Sequence, residues 1–403
     1  MQICFFEDAQ SDTFQPLTLT RPTDDLRIGI LTIADKWVNA LDTTTYSRIV
    51  KNPLSHVFES GQIDNEQDCI WINSRYLPSS NLIEKINDLS PGQCLQFGDI
   101  VIAAKVDGPQ SRQWFENGTP DFNKLFVLES SDFLSISNLW DLFQLNGREI
   151  VRDIALLNVQ SSENIDVSDH AVLENPADIY LQDGATVEAG CVLNAEKGPI
   201  YIGKNATVMS GALIRGPVAI CENAKVNMAA KIYADTTIGP VCKVGGEVNN
   251  CIFHSYSNKG HDGFFGNSLI GQWCNIGADS NTSNLKNNYS TIRLTNWVNR
   301  EEIETRQQFI GTIMGDHSKT AINTQLNTGT ICGVSCNIFS NDFPPKLIPS
   351  FSWVGSNVIQ TYKLDKAFEA MEAMMARRDV KLTDDYRKML EHIFDERMSN
   401  NPG

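Results

Sequence analysis

The chain has 403 residues, 41% of them hydrophobic and 20% charged, and a net charge of −16. That length admits two or three domains, and that composition belongs to a chain that buries a core rather than a disordered one. The acidic balance argues against binding a nucleic-acid backbone, which needs clustered Lys and Arg, but it leaves room for a nucleotide held by a few local cations.

The N-terminus places Glu7 and Asp8 where a secretory signal needs a basic flank and an apolar stretch. No apolar run approaches the roughly 20 residues of a membrane span. The ten cysteines are scattered singly, the nearest pair being Cys332 and Cys336. They read as reduced thiols packed as small hydrophobes, without a structural zinc. The expectation is a cytoplasmic protein with no membrane and no nucleic-acid partner.

Residues 1–158 read as an α/β domain. Short apolar runs at 3–6, 69–72, 94–97 and 100–104 alternate with helical patterns at 26–41 and 81–89. Pro91-Gly92 and Asn117-Gly118 mark turns. Residues 137–157 predict a helix, with Leu139, Leu142, Phe143, Ile150 and Ile154 on one side.

Residues 159–352 carry a different period. Ile202, Val208, Ile214, Ile220, Val226, Ile232, Ile238 and Val244 recur at every sixth position, with a small or short residue four places after each. An α-helix repeats near 3.6 residues and a plain strand at two, so a period of six requires corners between short strands. Asn205, Gly211, Gly216-Pro217, Asn223, Asp235 and Gly246 supply them. Such hexapeptide repeats predict a parallel β-helix, a solenoid wound around an apolar axis. A second phase runs through Ile252, Phe264, Ile270 and Ile276, with Asn258 at an expected aliphatic position. Residues 284–309 break the repeat and predict a projecting loop or hairpin. Residues 353–403 form a helical tail, expected to cover the open end of the solenoid.

The residues around Gly260-His261 are the most unusual in the repeat. A corner His points outward, and imidazole can take a proton from an amine near neutral pH. The alternative is a solvated surface His. Asn275, Asn281 and Asn284 follow, as turn residues or as a polar lining for a sugar.

Lys259-Gly260-His261, Gly266-Asn267, Asn275-Ile276-Gly277-Ala278 and Asn284 resemble the acetyltransferase domain of the bacterial N-acetylglucosamine-1-phosphate uridyltransferase/glucosamine-1-phosphate acetyltransferase family. The resemblance covers about residues 240–285. It implies a left-handed β-helix, a homotrimer, acetyl-CoA bound between subunits, and a role in UDP-N-acetylglucosamine biosynthesis. It makes His261 the catalytic base, with Asn284 positioning the amine and Glu247 the matching acid of the preceding coil. Asn275, Asn249, Lys259 and Phe264 fall on the substrate side. Phe264 stands where the family has Tyr, and Asn249 where it has a phosphate-binding Lys.

The N-terminal domain resembles a divergent branch of the sugar nucleotidyltransferases joined to the same β-helix. It lacks their Gly-rich, Lys-containing loop, and Arg21, Arg27 and Lys36 would take over the phosphate contacts. The alternative pairs those arginines with Asp24, Asp25 or Asp35. Mg²⁺ would fall to Asp99, because Asn73 and Arg75 occupy the place of the family's metal-binding Asp. The resulting expectation is nucleotidyl transfer from a nucleoside triphosphate to a sugar 1-phosphate, coupled to acyl transfer from acyl-CoA to an amino sugar phosphate. The rivals are a single-activity acyltransferase whose N-terminal domain only binds nucleotide, and a non-enzymatic sensor or scaffold.

Overall fold

The computed structural model describes residues 2–131, 133–356 and 358–400, and the chain divides into two compact units. One comprises residues 2–14, 21–26 and 31–138; the other comprises 15–20, 27–30 and everything from Leu139 onward. By contacts the second unit takes in the chain from Leu139. Helix α4 (Leu139–Leu156) is tied to the solenoid. Its apolar side buries Leu142, Phe143 and Ile150, and its Asn146 Nδ2 donates to Asp235 O (2.9 Å) and Thr237 Oγ1 (3.0 Å) of the solenoid.

The first unit is built on a six-stranded sheet. Its strands are β1 (Gln2–Phe6), β2 (Ser47–Arg48), β3 (Cys69–Asn73), β4 (Gln93–Phe97), β5 (Ile100–Val106) and β6 (Phe126–Glu129), in the order β2-β1-β3-β5-β4-β6. β1 pairs in parallel with β2 and β3, and β5 runs antiparallel to β3 and β4. Strands β1 and β3 are buried almost throughout, as centre strands covered on both faces must be. Helices α1 (Ile33–Ala40), α2 (Ser80–Asn87) and α3 (Gly108–Asn117) pack with it, each opened by a side-chain cap from Thr32, Ser79 or Asp107.

The second unit is a parallel β-solenoid whose walls stack in register. One inward ladder runs Leu193, Ile214, Ile232, Val248, Phe265. A second runs Ile202, Ile220, Ile238, Phe253, Ile270, Met314, Cys332. The third runs Val187, Val208, Val226, Val244 and then Lys259. All ten cysteines are free and buried, several of them inside this coil.

The second phase of the repeat differs from expectation. Phe253 and Phe265 point inward rather than Ile252 and Phe264, and Lys259 takes the aliphatic place assigned to Asn258. The cause is a short turn of the coil. Lys259 follows Val244 three residues sooner than the eighteen-residue spacing of Ile214 and Ile232 would place it. One-residue slips in a strand exchange the inner and outer faces. The break at 284–309 is a hairpin, strands β9 (Arg293–Thr295) and β10 (Glu302–Glu304), following the long strands β7 (Glu247–Ser255) and β8 (Phe264–Gln272). The tail is two helices, α5 (Leu364–Ala376) and α6 (Asp384–Asn400). The Phe394 ring of α6 meets Phe351 of the last coil edge-on at 5.2 Å, so an apolar coil end is covered. No helix among the described residues is long and apolar enough to cross a membrane.

Candidate functional site

Side chains alternate along a strand, so the residue before each inward rung of the third ladder points out of the coil. Those residues are Lys225, Lys243 and Asn258, continued by Asn275 and Lys319 through single bridges. This outward polar row, with His261 at the adjacent corner, borders a groove of about 720 Å³. Ala370, Ala373, Met374, Arg377 and Arg378, from α5 and the two residues after it, form the facing side. Arg378 Nη2 donates to Asn258 Oδ1 at 3.2 Å across the groove. Tyr256 and Trp273 stack at 4.2 Å along its edge.

The corner that carries His261 is held from both sides. Asn227 Nδ2 donates to Gly260 O at 2.7 Å, and Lys259 Nζ donates to His261 O at 2.8 Å and to Gly245 O at 3.0 Å. Lys259 is only 1% exposed, so the substrate contact expected of it is replaced by an internal role. Burial lowers its pKa to about 8 in spite of Asp262, Cys251 and Asp279, which raise it. His261 itself is exposed at the mouth of the groove. Burial lowers the pKa of Lys243, and the nearby charges of Arg378, Lys225 and Arg377 lower it further. That crowding of cations in an acidic chain makes the groove a place for an anionic ligand.

His261 and Asn275 thus share one groove. Glu247, Asn249, Phe264 and Asn284 do not line it. They gather on the first wall, where Glu247 pairs with Phe264 across adjacent strands and lies 3.6 Å from Lys231 Nζ. Asn249 follows on β7, and Asn284 Nδ2 donates to Asn267 Oδ1 at 2.8 Å on the neighbouring coil. Lys243, Lys319, Arg377 and Arg378 were not singled out from the sequence. Only the outward alternation beside Val244 could have pointed to Lys243, and no local signal marks the others.

In the first unit, the parallel strands β1 and β3 end at Phe6 and Asn73, the end at which ligands meet open α/β sheets. A cavity of about 580 Å³ lies there, with Glu7, Asp8, Arg75, Asp99 and Thr119 in its lining. Arg75 grips Asp8 with both arms of its fork, Nε to Oδ1 at 2.8 Å and Nη2 to Oδ2 at 2.6 Å. Burial raises the Asp8 pKa, but the bonds from Arg75 and Asn73 and the Arg75 charge outweigh it and hold the carboxyl below its ordinary value. Glu7 accepts from Thr23 N and Oγ1.

The three cations expected at the phosphates lie elsewhere. Arg21 is buried, with Nη1 3.1 Å from Asp25 Oδ2, the structural ion pair left open above. Lys36 is buried in α1. Arg27 belongs to the second unit, where Nε donates to His254 O at 3.1 Å. Asp99 lines the cavity from the exposed β4–β5 turn. Among the described residues no three His, Cys, Asp or Glu side chains cluster as a metal cage. Mg²⁺ at transferred phosphates needs only one or two carboxylates besides the phosphate oxygens, and Asp99 offers one, whereas both oxygens of Asp8 are held by Arg75 and Asn73.

Fold and sites define a nucleotidyltransferase-like sheet domain followed by a parallel β-solenoid of the hexapeptide-repeat kind. Residues 3–162 match the family model described as sugar nucleotidyl transferase. The chain is similar to bifunctional GlmU proteins. It is 22% identical over 234 residues to the bifunctional protein GlmU of Synechococcus elongatus, covering 55% of this chain and 48% of that protein. It is 29% identical over 234 residues to the bifunctional protein GlmU of Methanococcus vannielii, covering 58% and 49%. The chain therefore spans about half the length of these curated relatives. Among solved structures, UDP-N-acetylglucosamine acyltransferase from Campylobacter jejuni aligns over 57% of this chain and 94% of its own, at 13% identity and a TM-score of 0.21.

Proposed function

We propose that this chain is a transferase of amino-sugar nucleotide biosynthesis that carries acyl transfer in the solenoid and nucleotidyl transfer in the sheet domain. The observation that carries the proposal is the sharing of one cation-rimmed groove by His261 and Asn275. An amino sugar phosphate fits its amide and cationic lining, and acetyl-CoA is the acyl donor. The acceptor amine attacks the thioester carbonyl, the C–N bond forms as the C–S bond breaks, and CoA leaves as its thiol. His261 takes the amine proton, the work of a general base within reach of an exposed groove. Asn275 holds the sugar beside it.

Glu247 and Asn284 stand on a different wall of the same coil. Residues so separated act on one substrate when they come from neighbouring chains, which supports a homotrimer of left-handed solenoids with the donor bound between subunits. In the sheet domain, the cavity at the ends of β1 and β3 takes the nucleoside triphosphate and sugar 1-phosphate. Mg²⁺ there would be held by Asp99 and would neutralise phosphate charge.

The test is thiol release from acetyl-CoA with glucosamine 1-phosphate as acceptor, beside pyrophosphate release from nucleoside triphosphates with sugar 1-phosphates. Mixed assemblies of His261→Ala and Asn284→Ala chains should regain acyl transfer that neither has alone. No acyl transfer by the parent with any amino sugar would overturn the groove reading. A second reading, acyl transfer alone, is favoured by one observation: Arg21, Arg27 and Lys36 are all absent from the lining of the N-terminal cavity. Acyl transfer without pyrophosphate release would select it.

A further inference from the structure

The hairpin that interrupts the repeat builds a second polar pocket. Its tip is fixed: Asn296 Oδ1 accepts from Val298 N at 2.8 Å and Asn299 N at 3.1 Å, and Asn296 N donates to Glu301 O at 2.8 Å. Trp297 is seated on the coil so closely that a Cβ on Gly333 would lie 2.6 Å from its Cη2 atom. The Arg300 guanidinium then stacks over the Trp297 ring at 4.8 Å. Arg300 adopts this place with φ of +64°, a conformation that costs a side-chain-bearing residue energy and gathers at functional positions. Against it lies the α6 end, with Arg397 in the same lining, and together with Gln15 and Ser350 these residues line a half-open cavity of about 250 Å³.

The charges there are poorly matched. Arg397 Nη1 donates to Thr361 Oγ1 at 2.8 Å, while its Nε is buried without a hydrogen-bond partner among the described residues. No described carboxylate pairs with Arg300 or Arg397. Glu396 is the one acid in the lining; it is half exposed, and its Oε1 lies 3.3 Å from His392 Nε2. Arg397 is partly buried and lacks a counter-charge, which is unfavourable, and an oxyanion is the group that offsets it, with the exposed Arg300 guanidinium offering a second planar fork that matches phosphate oxygens. The cavity is too small for a dinucleotide or a coenzyme and is sized for a small molecule.

We propose that this pocket is a second anion site, in which Arg300 and Arg397 bind the phosphate group of a small metabolite. It is separate from the His261 groove in its residues and does not depend on the chemistry assigned there. Inorganic phosphate is the probe, titrated calorimetrically into the full chain carrying Lys243→Ala/Arg378→Ala, which thins the cations of the groove. Phosphate should bind in the millimolar range or tighter. Arg300→Ala and Arg397→Ala should each weaken it roughly tenfold or more, and Arg300→Lys should weaken it less, keeping the charge but not the fork. Trp297→Ala should also weaken binding by unseating Arg300. Acetate, with one charge and fewer oxygens, should bind more weakly than phosphate. Arg300 lies on an exposed hairpin, so its variants report on the site even where Arg397→Ala compromises α6. Absence of millimolar phosphate binding, or binding unchanged by Arg300→Ala, would overturn the proposal.

Discussion

The Nζ atom of Lys259 lies 2.8 Å from the carbonyl oxygen of His261, and it reaches that oxygen from inside the coil. A cation has replaced an aliphatic rung directly beneath the corner of the proposed base. Hydrogen bonds from a charged donor are stronger than neutral ones, and this donor also ties down Gly245 O one coil away. Lys259→Met would restore the aliphatic ladder and release both carbonyls. Backbone amides of residues 260–263 should then exchange faster, and acyl transfer should fall by up to about 10²-fold through misplacement of His261. Unchanged exchange at that corner would show that Lys259 does not order it.

The same residue gives a pH dependence. Its pKa is about 8 in the folded chain and 10.5 ordinarily. Between those values the unfolded chain keeps a proton that the folded chain has lost, so stability rises with pH across that window. Below pH 8 the lysine is charged in both states and the cost of burying it is fully present. Urea titrations from pH 7 to 10 should show the rise in the parent and its loss in Lys259→Met.

His261→Ala should reduce acyl transfer by about 10²–10⁴-fold, the usual worth of positioned proton transfer. Melting should shift little, because the side chain is exposed. Pyrophosphate release should be unaffected. Equal acyl transfer by parent and variant would return His261 to the solvated surface.

The cationic rim predicts a binding effect more than a chemical one. Lys243→Ala or Arg378→Ala should raise KM for the phosphate-bearing substrate by roughly tenfold with kcat little changed. The difference between parent and variant should narrow with added salt, which screens exposed charges. A fall in kcat at constant KM would instead place these residues at the reacting atoms.

For the sheet domain, Asp99→Asn should lower Mg²⁺-dependent pyrophosphate release by about tenfold or more and leave acyl transfer alone. Its exposed turn makes a folding defect an unsuitable explanation, and an unchanged circular dichroism melt would confirm that.

The sequence by itself determined the solenoid. Ile214, Ile232 and Val248 must face inward because a coil of short strands buries one side chain at each recurring place, and Asn223 and Asp235 turn its corners with φ near +56° and +59°. It also determined that Gly260-His261 would sit at such a corner. Only the tertiary structure decided what the corner rests on. One shortened coil moves Lys259 into the ladder below Val244 and turns Phe264 outward, and a period read along the chain cannot register three missing residues until the walls are stacked. The groove was decided the same way. Arg377 and Arg378 follow α5 more than a hundred residues from His261, and they meet it because the chain leaves the solenoid and returns along the outward row of Lys243, Asn258 and Asn275. Arg21 shows the converse: its charge was legible in the sequence, but which of the nearby acids it pairs with was decided by the fold, which buries Arg21 against Asp25, four residues on.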